Sequence, residues 1–400
     1  MVGRGSDFCA PVFITLHRMA KRATKRGDER TDLTGSRDVL ICGASFAGLM
    51  VARQLAGTGA DVLVVDRYEI GERQTSACAI PTAWLEELGL IESEKQRFDS
   101  VLIHTAHGSI RLPVPWSFST FDYPSFCEML WAQCDAEFET AKVNGRAKTP
   151  EGDHVIDTDR GEITAPLVVD SLGWKRVLAA GAHYQPPNQP LSRGLEVHPP
   201  GGNVDLEVFI NRRYVPAGYG WSFPADDEVR VGVGSFDPHF PVRPTTDLIA
   251  DDLNVEKSAY QGNWIPHKLR PATGDGIFFA GDSAGHCFPL TAEGIRPALY
   301  FGAALGMELR DVVEGRKSRE EALTCYHDFS AGHQWAFDWL LRAQKLLPKV
   351  HPRLVKPTLA ASFKAGGSGD YAFNKYLDIA PPEFAALATR ALKENSPVPT

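Results

Sequence analysis

The sequence predicts an α/β protein with a parallel sheet, an inserted and mainly antiparallel β-sheet, and a helical C-terminus. Three observations support this prediction. A strand, a glycine-rich turn, a helix and a second strand follow one another over residues 38–66, strand-like runs dominate residues 192–236, and the chain is mainly helical after residue 282. The chain has 400 residues, 43% of them hydrophobic, which is enough for two or three modules with a sizeable core.

The composition excludes several classes of protein. The formal net charge of −8 argues against a nucleic-acid partner, because such binding needs a basic surface. The seven cysteines are widely spaced and include no CxxC pair, so neither a disulfide framework nor a metal site is predicted. No run approaches 18 apolar residues, which argues against a spanning helix. We expect a cytoplasmic protein and leave peripheral contact with a membrane open.

The first 37 residues form a basic tail that we expect to be disordered. Its charges crowd one short stretch without helical or strand periodicity, at Arg18, Lys21, Arg22, Lys25, Arg26 and Arg30. Two interpretations stay open. The tail is either a basic arm that binds anionic lipid or an upstream extension without a role.

The first motif is a dinucleotide-binding βαβ unit. In DVLICGASFAGL, Gly43 permits the tight turn out of the strand, Gly48 lets helix and sheet approach, and the helix N-terminus offers free N–H groups to a pyrophosphate. Asp66 closes the second strand, where a carboxylate accepts ribose hydroxyls. Ser45 replaces the middle glycine of GxGxxG, and an ordinary glycine turn is the alternative. The predicted cofactor-binding residues here are Gly43, Ser45, Phe46, Ala47, Gly48, Asp66 and Arg67.

A second glycine turn, in GIFFAGDSAGHCFPLTAEGIRPAL at residues 276–299, supports the same cofactor site. A buried strand delivers Gly281 and Asp282, and a helix is predicted to begin near Thr291. If the dinucleotide is FAD, Asp282 binds its ribityl hydroxyls and the positive end of the helix faces the ring edge that becomes negative on reduction. Gly294 and Ile295 complete this predicted part of the site.

Together, DVLICGASFAGL, LVVD at residues 167–170 and IFFAGDSAG resemble the flavoprotein superfamily that includes aromatic hydroxylases, flavin-dependent halogenases and geranylgeranyl reductases. The resemblance covers roughly residues 38–310 and implies a Rossmann-like FAD-binding domain with an inserted substrate-binding sheet. The predicted organisation is a tail over 1–37, an FAD-binding domain in two parts over 38–190 and 271–311, a substrate-binding sheet domain over 191–270, and a C-terminal helical region over 312–400.

The segment GYGWSFP at residues 218–224 distinguishes among these relatives. It resembles the YxWxFP segment of the geranylgeranyl reductases, with Tyr219, Trp221 and Phe223 in register, whereas halogenases carry a related segment that ends in Ile-Pro. The resemblance implies an apolar wall over the flavin that shapes a prenyl tunnel. The alternative is an aromatic strand that fills the core between domains.

Cys78, in TSACAIP, is the second distinguishing residue. The geranylgeranyl reductases place a cysteine followed by a glycine beside the flavin, and here Ala79 replaces that glycine. A thiol near the ring positions or protonates a substrate carbon, whereas a buried structural cysteine is the alternative. The loop PLTAEGIRPA also resembles the reductases, with Glu293 as a departure. The predicted catalytic residues are Cys78, Tyr219 and Trp221, and the predicted substrate-binding residues are Tyr219, Trp221, Phe223 and Pro289.

A further departure concerns the head of the helix that begins DYPSFCEML. Relatives usually carry an arginine there, beside the flavin phosphate or ribityl chain, and this chain has Tyr123. The candidates to compensate are Arg53, Arg67 and Arg111.

Four other segments receive weaker predictions. A helical stretch is expected over residues 125–139, and the D-x-x-G at residues 170–173 is expected to be structural. His286 is either a loop residue near the cofactor or a base. The tract WAFDWLLRAQKLLPKV at residues 335–350 is either core packing or an amphipathic surface that takes up lipid.

The resemblance implies an FAD-dependent oxidoreductase that reduces carbon–carbon double bonds of a prenyl or other apolar substrate. Reduced FAD delivers hydride, a general acid near Cys78 supplies the second hydrogen, and NADPH or NADH is the expected electron donor. The competing hypotheses are an FAD-dependent monooxygenase (hydroxylase) or halogenase, and a protein that binds FAD or lipid without turnover. Halogenases rely on a lysine beside a tunnel, and no lysine lies between Arg26 and Lys95, which weakens that version.

Overall fold

The computed structural model describes residues 31–149, 152–180, 190–363 and 368–385. The six clustered basic residues of the predicted tail, from Arg18 to Arg30, lie outside these ranges. The end of the tail is described, and its β1 (Gly35–Ser36) pairs in parallel with β10 (Gly161–Ala165). Within the described ranges, no helix combines the length and the apolar character needed to cross a bilayer.

The first sheet has six strands and is almost entirely parallel. Its members are β2 (Val39–Cys42), β3 (Val62–Asp66), β7 (Glu137–Thr140), β11 (Leu167–Asp170), β17 (Thr273–Gly274) and β18 (Ile277–Phe279). Their order is β17, β18, β11, β2, β3, β7, and only β17 runs antiparallel to its neighbour. The apolar runs VLIC, VLVV and LVV form such strands because helices and loops cover both faces of a parallel sheet.

The second sheet has eight strands and is mainly antiparallel, as predicted. Its members are β4 (Ala79–Pro81), β5 (Glu94–Thr105), β6 (Gly108–Phe121), β12 (Leu191–Val197), β13 (Leu206–Ile210), β14 (Gly218–Ala225), β15 (Glu228–Ser235) and β16 (Gln261–Pro266). The order is β16, β12, β15, β14, β13, β5, β6, β4. Strands β4 to β6 precede the range predicted for this sheet, and they join it because β13 pairs in parallel with β5.

A third, four-stranded sheet flanks the first. It contains β1, β10, β9 (His154–Thr158) and β8 (Val143–Lys148). The helices are α1 (Phe46–Gln54), α2 (Thr82–Glu87), α3 (Tyr123–Trp131), α4 (Val177–Ala180), α5 (Val242–Asp252), α6 (Ile295–Val313), α7 (Arg319–Ala331), α8 (Gln334–Leu346), α9 (Pro352–Ser362) and α10 (Ser368–Leu377). The α/β class with a helical C-terminus is therefore confirmed.

Two predicted helix bounds are wrong, each for a tertiary reason. The stretch over residues 125–139 is helical only in α3, because residues 137–140 pair with β3 as a parallel strand. The helix expected near Thr291 begins at Ile295, since Leu290 and Ala292 adopt left-handed backbone conformations with φ of 71° and 52°.

The larger apolar core lies around the parallel sheet and includes α1, α3 and α6. A smaller core lies between the antiparallel sheet and α5. Because the carboxyl ends of parallel strands share one edge, the residues that follow β2, β3, β11 and β18 converge there. This edge faces the antiparallel sheet across a large cavity.

Candidate functional site

One cavity of about 960 Å³ joins the two sheets. Its volume is at the upper end of the range for small-molecule sites. The cavity brings together predicted residues from both halves of the site, namely Ser45, Phe46, Ala47, Asp66, Arg67, Cys78, Tyr219, Trp221, Phe223, Gly281, Asp282, Gly294 and Ile295. Gly43, Gly48 and Pro289 do not line it.

Gly43 and Gly48 shape the turn beneath the cavity. Gly43 has φ of +112°, and a Cβ there would lie 2.3 Å from the carbonyl oxygen of Ser171. A Cβ at Gly48 would lie 1.9 Å from the carbonyl oxygen of Gly43. Both glycines are therefore required by the packing of strand, turn and helix itself. A substitution at either position perturbs the fold as well as any ligand that the turn holds.

Asp66 ends β3 beside this turn. Its Oδ2 accepts the N–H of Ala44 at 2.8 Å, and its Oδ1 accepts the N–H of Tyr68 at 3.0 Å. Burial raises the pKa of this carboxyl, and the two backbone N–H groups oppose the rise. The carboxylate is fixed in place at the cavity and keeps lone pairs for a hydroxyl donor.

Ser45 and Tyr123, both departures from the family pattern, contact each other. Their hydroxyl oxygens lie 3.2 Å apart, and Tyr123 is 6% exposed. Ser45 is the N-cap of α1, yet its side chain makes no capping hydrogen bond because it is turned toward Tyr123. The first N–H groups of α1, whose residues line the cavity, are thereby left without a side-chain cap and are available to bind an anion.

The three candidate arginines lie in different places. Arg67 lines the cavity and also packs over the ring of Tyr68. Arg53 is buried and donates to Gln133, while Arg111 forms an ion pair with Asp205. Arg67 alone among the three candidates is placed to meet a ligand in this cavity.

Asp282 follows β18 on the same edge of the sheet. Burial raises the pKa of its carboxyl to about 6, and the charge of Arg270 opposes the rise. Gly294, the N-cap of α6, stands close by, since a Cβ built there would lie 3.9 Å from Oδ1 of Asp282. The Asp282 carboxyl group, which can bind ligand hydroxyls, and the positive N-terminal end of the 19-residue helix α6 therefore lie at the same place in the site.

Glu293 departs from the family pattern because it belongs to a buried network. It forms an ion pair with Arg296 at 2.7 Å and accepts a hydrogen bond from the Tyr376 hydroxyl. Arg296 is fully buried and also donates to the carbonyl of Leu377 at 2.8 Å. Burial lowers the pKa of Arg296, but the Glu293 carboxylate raises it by more, so the net shift is upward. The network fastens the loop before α6 to α10.

The aromatic segment lies on β14 and faces the cavity. The Tyr219 hydroxyl donates to the carbonyl of Thr291, which ties the antiparallel sheet to the loop before α6. The Trp221 indole donates to Oε2 of Glu196 at 2.9 Å, and Phe223 lines the cavity without a polar contact of its own.

Glu196 is a site residue that the sequence analysis missed. It is 2% exposed, lines the cavity from β12, and its Oε1 lies 2.9 Å from Nε2 of His198. The residue is embedded in the strand LSRGLEV, which reads as ordinary sheet, so no sequence signal marks it. Only the pairing of β12 with β15, beside β14, brings it to Trp221.

Cys78 is fully buried and lines the cavity. Its φ of 50° is unusual for a residue other than glycine. Arg230, also buried, holds this turn by donating to the carbonyls of Ala77 at 2.9 Å and Phe121 at 3.0 Å. Burial raises the pKa of the Cys78 thiol, so the group keeps its proton and is not a nucleophile. Arg230 is a second residue that sequence reasoning missed.

The apolar wall of the cavity extends beyond the aromatic segment. Val101, Ile103, Leu206 and Val208 contribute from β5 and β13. Further apolar lining comes from the C-terminal region, at Leu347, Leu359, Phe373 and Tyr376. The helices α9 and α10 therefore cover the cavity, which the sequence analysis did not anticipate.

Two other candidates are structural. Asp170 is fully buried and accepts hydrogen bonds from the N–H groups of Leu172 and Leu178 and from the Ser283 hydroxyl. His286 is fully buried, stacks on Phe301 and contacts Ser330 at 3.0 Å. Burial lowers the pKa of His286, so the imidazole is neutral. The residue is not among those that line the cavity.

The glycine turn after β2, the carboxyl groups that follow β3 and β18 and the shared cavity define an α/β protein whose parallel sheet presents its carboxyl edge to a binding site. No protein-family model matches the chain. The chain is 24% identical over 349 residues to a digeranylgeranylglycerophospholipid reductase of Methanopyrus kandleri, with 78% of this chain and 87% of the relative covered. Similar reductases of other methanogens match at comparable identity.

The fold also resembles solved structures. A geranylgeranyl bacteriochlorophyll reductase-like protein from Thermoplasma acidophilum superposes with a TM-score of 0.74 at 16% identity, covering 90% of this chain and 99% of that one. A probable FAD-dependent monooxygenase from Pseudomonas aeruginosa superposes with a TM-score of 0.63 at 16% identity, covering 78% and 97%. The resemblance to the geranylgeranyl reductases drawn from the sequence is confirmed.

Proposed function

We propose that this chain is an FAD-dependent oxidoreductase that reduces carbon–carbon double bonds of a prenyl lipid or a similarly apolar substrate. The observation that carries the proposal is the single cavity, which runs without interruption from the dinucleotide motif to an apolar wall built by β5, β13, β14 and the C-terminal helices. A cofactor held at one end and an alkene held at the other would share one cavity.

The described residues fit FAD. The N-terminus of α1 would bind the pyrophosphate through its N–H groups, Asp66 would accept hydrogen bonds from the ribose hydroxyls, and Asp282 would accept them from the ribityl chain. Arg67 adds a positive charge at the cavity. When bound, reduced FAD supplies the hydride for one carbon of the double bond.

The chain's own residues would orient the alkene, exclude water and supply a proton. The aromatic segment and the apolar lining from α9 and α10 accept hydrocarbon and keep water out. The second hydrogen would come from the proton at Sγ of Cys78. The thiolate left behind would be stabilised by the nearby Arg230 guanidinium, which opposes the rise that burial causes in the pKa of the thiol, and water would reprotonate it after the product leaves.

The electron donor, NADPH or NADH, stays a prediction, as do the roles assigned to individual residues and the domain bounds. The names of the relatives point to geranylgeranyl chains on a glycerol phospholipid as the substrate class to try first. Lys142 and Lys175 line the cavity, so a lysine is available to a halogenase-like reaction as well. The test must therefore separate alkene reduction from oxygen chemistry.

The experiment uses the full chain loaded with FAD and reduced without oxygen by NADPH, NADH or dithionite. Addition of a geranylgeranylated glycerol phospholipid should reoxidise the flavin and add two hydrogens to each reduced double bond, measured by mass spectrometry. The saturated analogue is the matched control and should leave the flavin reduced. Reoxidation only by oxygen, with oxygen incorporated into an added aromatic compound, would assign the chain to the monooxygenases instead. A colourless protein that retains no FAD would overturn the cofactor assignment.

A further inference from the structure

The large apolar side chains that remain exposed are concentrated on the C-terminal helices. Among the described residues, Trp335, Trp339, Leu346, Leu354 and Tyr371 are 62%, 46%, 60%, 56% and 68% exposed. Scattered exposed apolar residues need no explanation, but five within one segment of 37 residues do. We call these five residues the C-terminal patch.

Three members of the C-terminal patch share one face of α8. At about 100° per residue, Trp335, Trp339 and Leu346 lie within about 40° of one another around the helix axis. The opposite face packs into the protein through Phe337 and Leu340, which are 1% exposed. The tryptophans are therefore not displaced core residues. The helix has an apolar face toward the protein and a second one toward solvent.

Basic residues accompany this exposed face. The segment over residues 334–363 contains five Lys or Arg and one Asp, a net charge of +4 in a chain whose formal charge is −8. The exposed cations are Arg342, Lys345, Lys349 and Arg353. Within the described part of the chain none of them forms an ion pair, so their charge is not used to hold the fold.

Part of the C-terminal patch lies next to residues that line the cavity. Leu347, one residue after the exposed Leu346, lines the cavity, and so does Leu359 of α9, whose first turn carries Leu354. Tyr371 of α10 is exposed, while Phe373 two residues later lines the cavity. At α9 and α10, a single helical layer therefore separates the cavity from exposed side chains.

We infer that the C-terminal patch docks on the surface of an anionic lipid bilayer. Exposed tryptophan and tyrosine with interspersed cations match the boundary between acyl chains and charged headgroups, where aromatic rings insert and Lys or Arg contact phosphate. A second protein copy is a poorer match, because a two-fold interface would bring the same four exposed cations of each copy together, and like charges that face each other across an interface are destabilising. The docking is peripheral, and it places the cavity cover against the phase in which prenyl lipids reside. The inference does not depend on the proposed reaction.

The experiment measures binding of the full chain to vesicles by co-sedimentation. The vesicles contain phosphatidylcholine alone or phosphatidylcholine with about one third phosphatidylserine, a fraction that gives a strongly negative surface. The test variant is Trp335→Ser/Trp339→Ser. The matched control is Ile91→Ser/Val204→Ser, which removes two other exposed apolar side chains far along the chain. Circular dichroism and size-exclusion chromatography confirm that each variant is folded and report its oligomeric state.

We expect the unaltered chain and the control to bind the anionic vesicles, and the tryptophan variant to bind at least tenfold more weakly. Arg342→Glu/Lys349→Glu should lose binding similarly, and salt should weaken it for the unaltered chain. Undiminished binding of the tryptophan variant would overturn the inference, because the basic N-terminal residues are present in every variant and would then be the attachment. The inference would also be overturned if the unaltered chain bound neither kind of vesicle. A further contradicting result would be that the unaltered chain and the control are dimers while the tryptophan variant is a monomer.

Discussion

Flavin affinity should fall steeply below neutral pH because of Asp282. Burial raises the pKa of this carboxyl to about 6 in the flavin-free protein. The proposed contact needs an ionised carboxylate that accepts hydrogen bonds from ribityl hydroxyls, and such contacts lower the pKa in the complex. Binding therefore releases a proton, and the affinity is fully present above about pH 6 and is lost as the pH falls through that value.

The magnitude follows from the pKa. At about pH 5 roughly one Asp282 in eleven is ionised, and at about pH 7 roughly ten in eleven are, so the dissociation constant should differ about tenfold, or about 1.4 kcal/mol. Asp282→Asn removes this part of the pH dependence and weakens binding at about pH 7 by the loss of charge-assisted hydrogen bonds, about 1.5–3 kcal/mol. Burial raises the pKa of Asp66 in the same sense, so the variant is compared with the unaltered chain at each pH.

The free energy of unfolding of the flavin-free chain should depend on pH in the opposite direction: the contribution of Asp282 falls as the pH rises. The folded pKa lies above the unfolded value of 3.8, so the relative stabilisation is present below about pH 4 and is lost as the pH rises through about 6. At about pH 7 Asp282→Asn should therefore raise the free energy of unfolding, by at most about 3 kcal/mol, while it weakens FAD binding.

The assay is fluorescence titration of the flavin-free protein with FAD between about pH 5 and pH 7, together with urea unfolding at the same pH values. Asp205→Asn is the matched control, because that carboxylate pairs with Arg111 and does not line the cavity. If Asp282→Asn keeps the full tenfold pH dependence, or if it weakens folding and binding together, the assignment of Asp282 to the flavin is refuted.

Three further outcomes are expected. Cys78→Ser should slow flavin reoxidation by a prenyl substrate without slowing anaerobic flavin reduction. The control is Cys127→Ser, which is buried but does not line the cavity and should slow neither step. If Cys78→Ser slows both steps equally, the thiol has a structural role. Arg230→Met leaves buried carbonyl groups without a donor, so it should lower the free energy of unfolding, measured by urea denaturation, by about 3 kcal/mol. A change of less than about 1 kcal/mol would contradict the role of the guanidinium in holding the Cys78 turn. Phe373→Ala should raise KM for a long prenyl chain about tenfold and leave a short alkene unaffected. Asn374→Ala, which is exposed on the same helix and does not line the cavity, should change neither. An unchanged KM for Phe373→Ala would remove α10 from the substrate path.

The departures from the family pattern show how far sequence reasoning reaches. Ser45 and Tyr123 stand 78 positions apart and look unrelated in the sequence, but their hydroxyls meet at the turn before α1. Glu293 looks like an unsuitable residue in a cofactor loop until Arg296 and Tyr376 are seen to neutralise it. Each substitution is compensated by a contact that no linear motif records.

The sequence by itself determined the parallel βαβ core, the two glycine turns and the aromatic strand, because local periodicity and turn chemistry specify those elements without reference to distant residues. Tertiary structure alone decided that β5 and β6 join the antiparallel sheet, that Glu196 meets Trp221, and that α9 and α10 cover the cavity. The physical reason is that pairing between distant strands and the burial of one helix face depend on which surfaces the folded core leaves available. A pocket is lined by those surfaces. The residues that line it therefore depend on tertiary packing, although the motifs at its base can be found in the sequence.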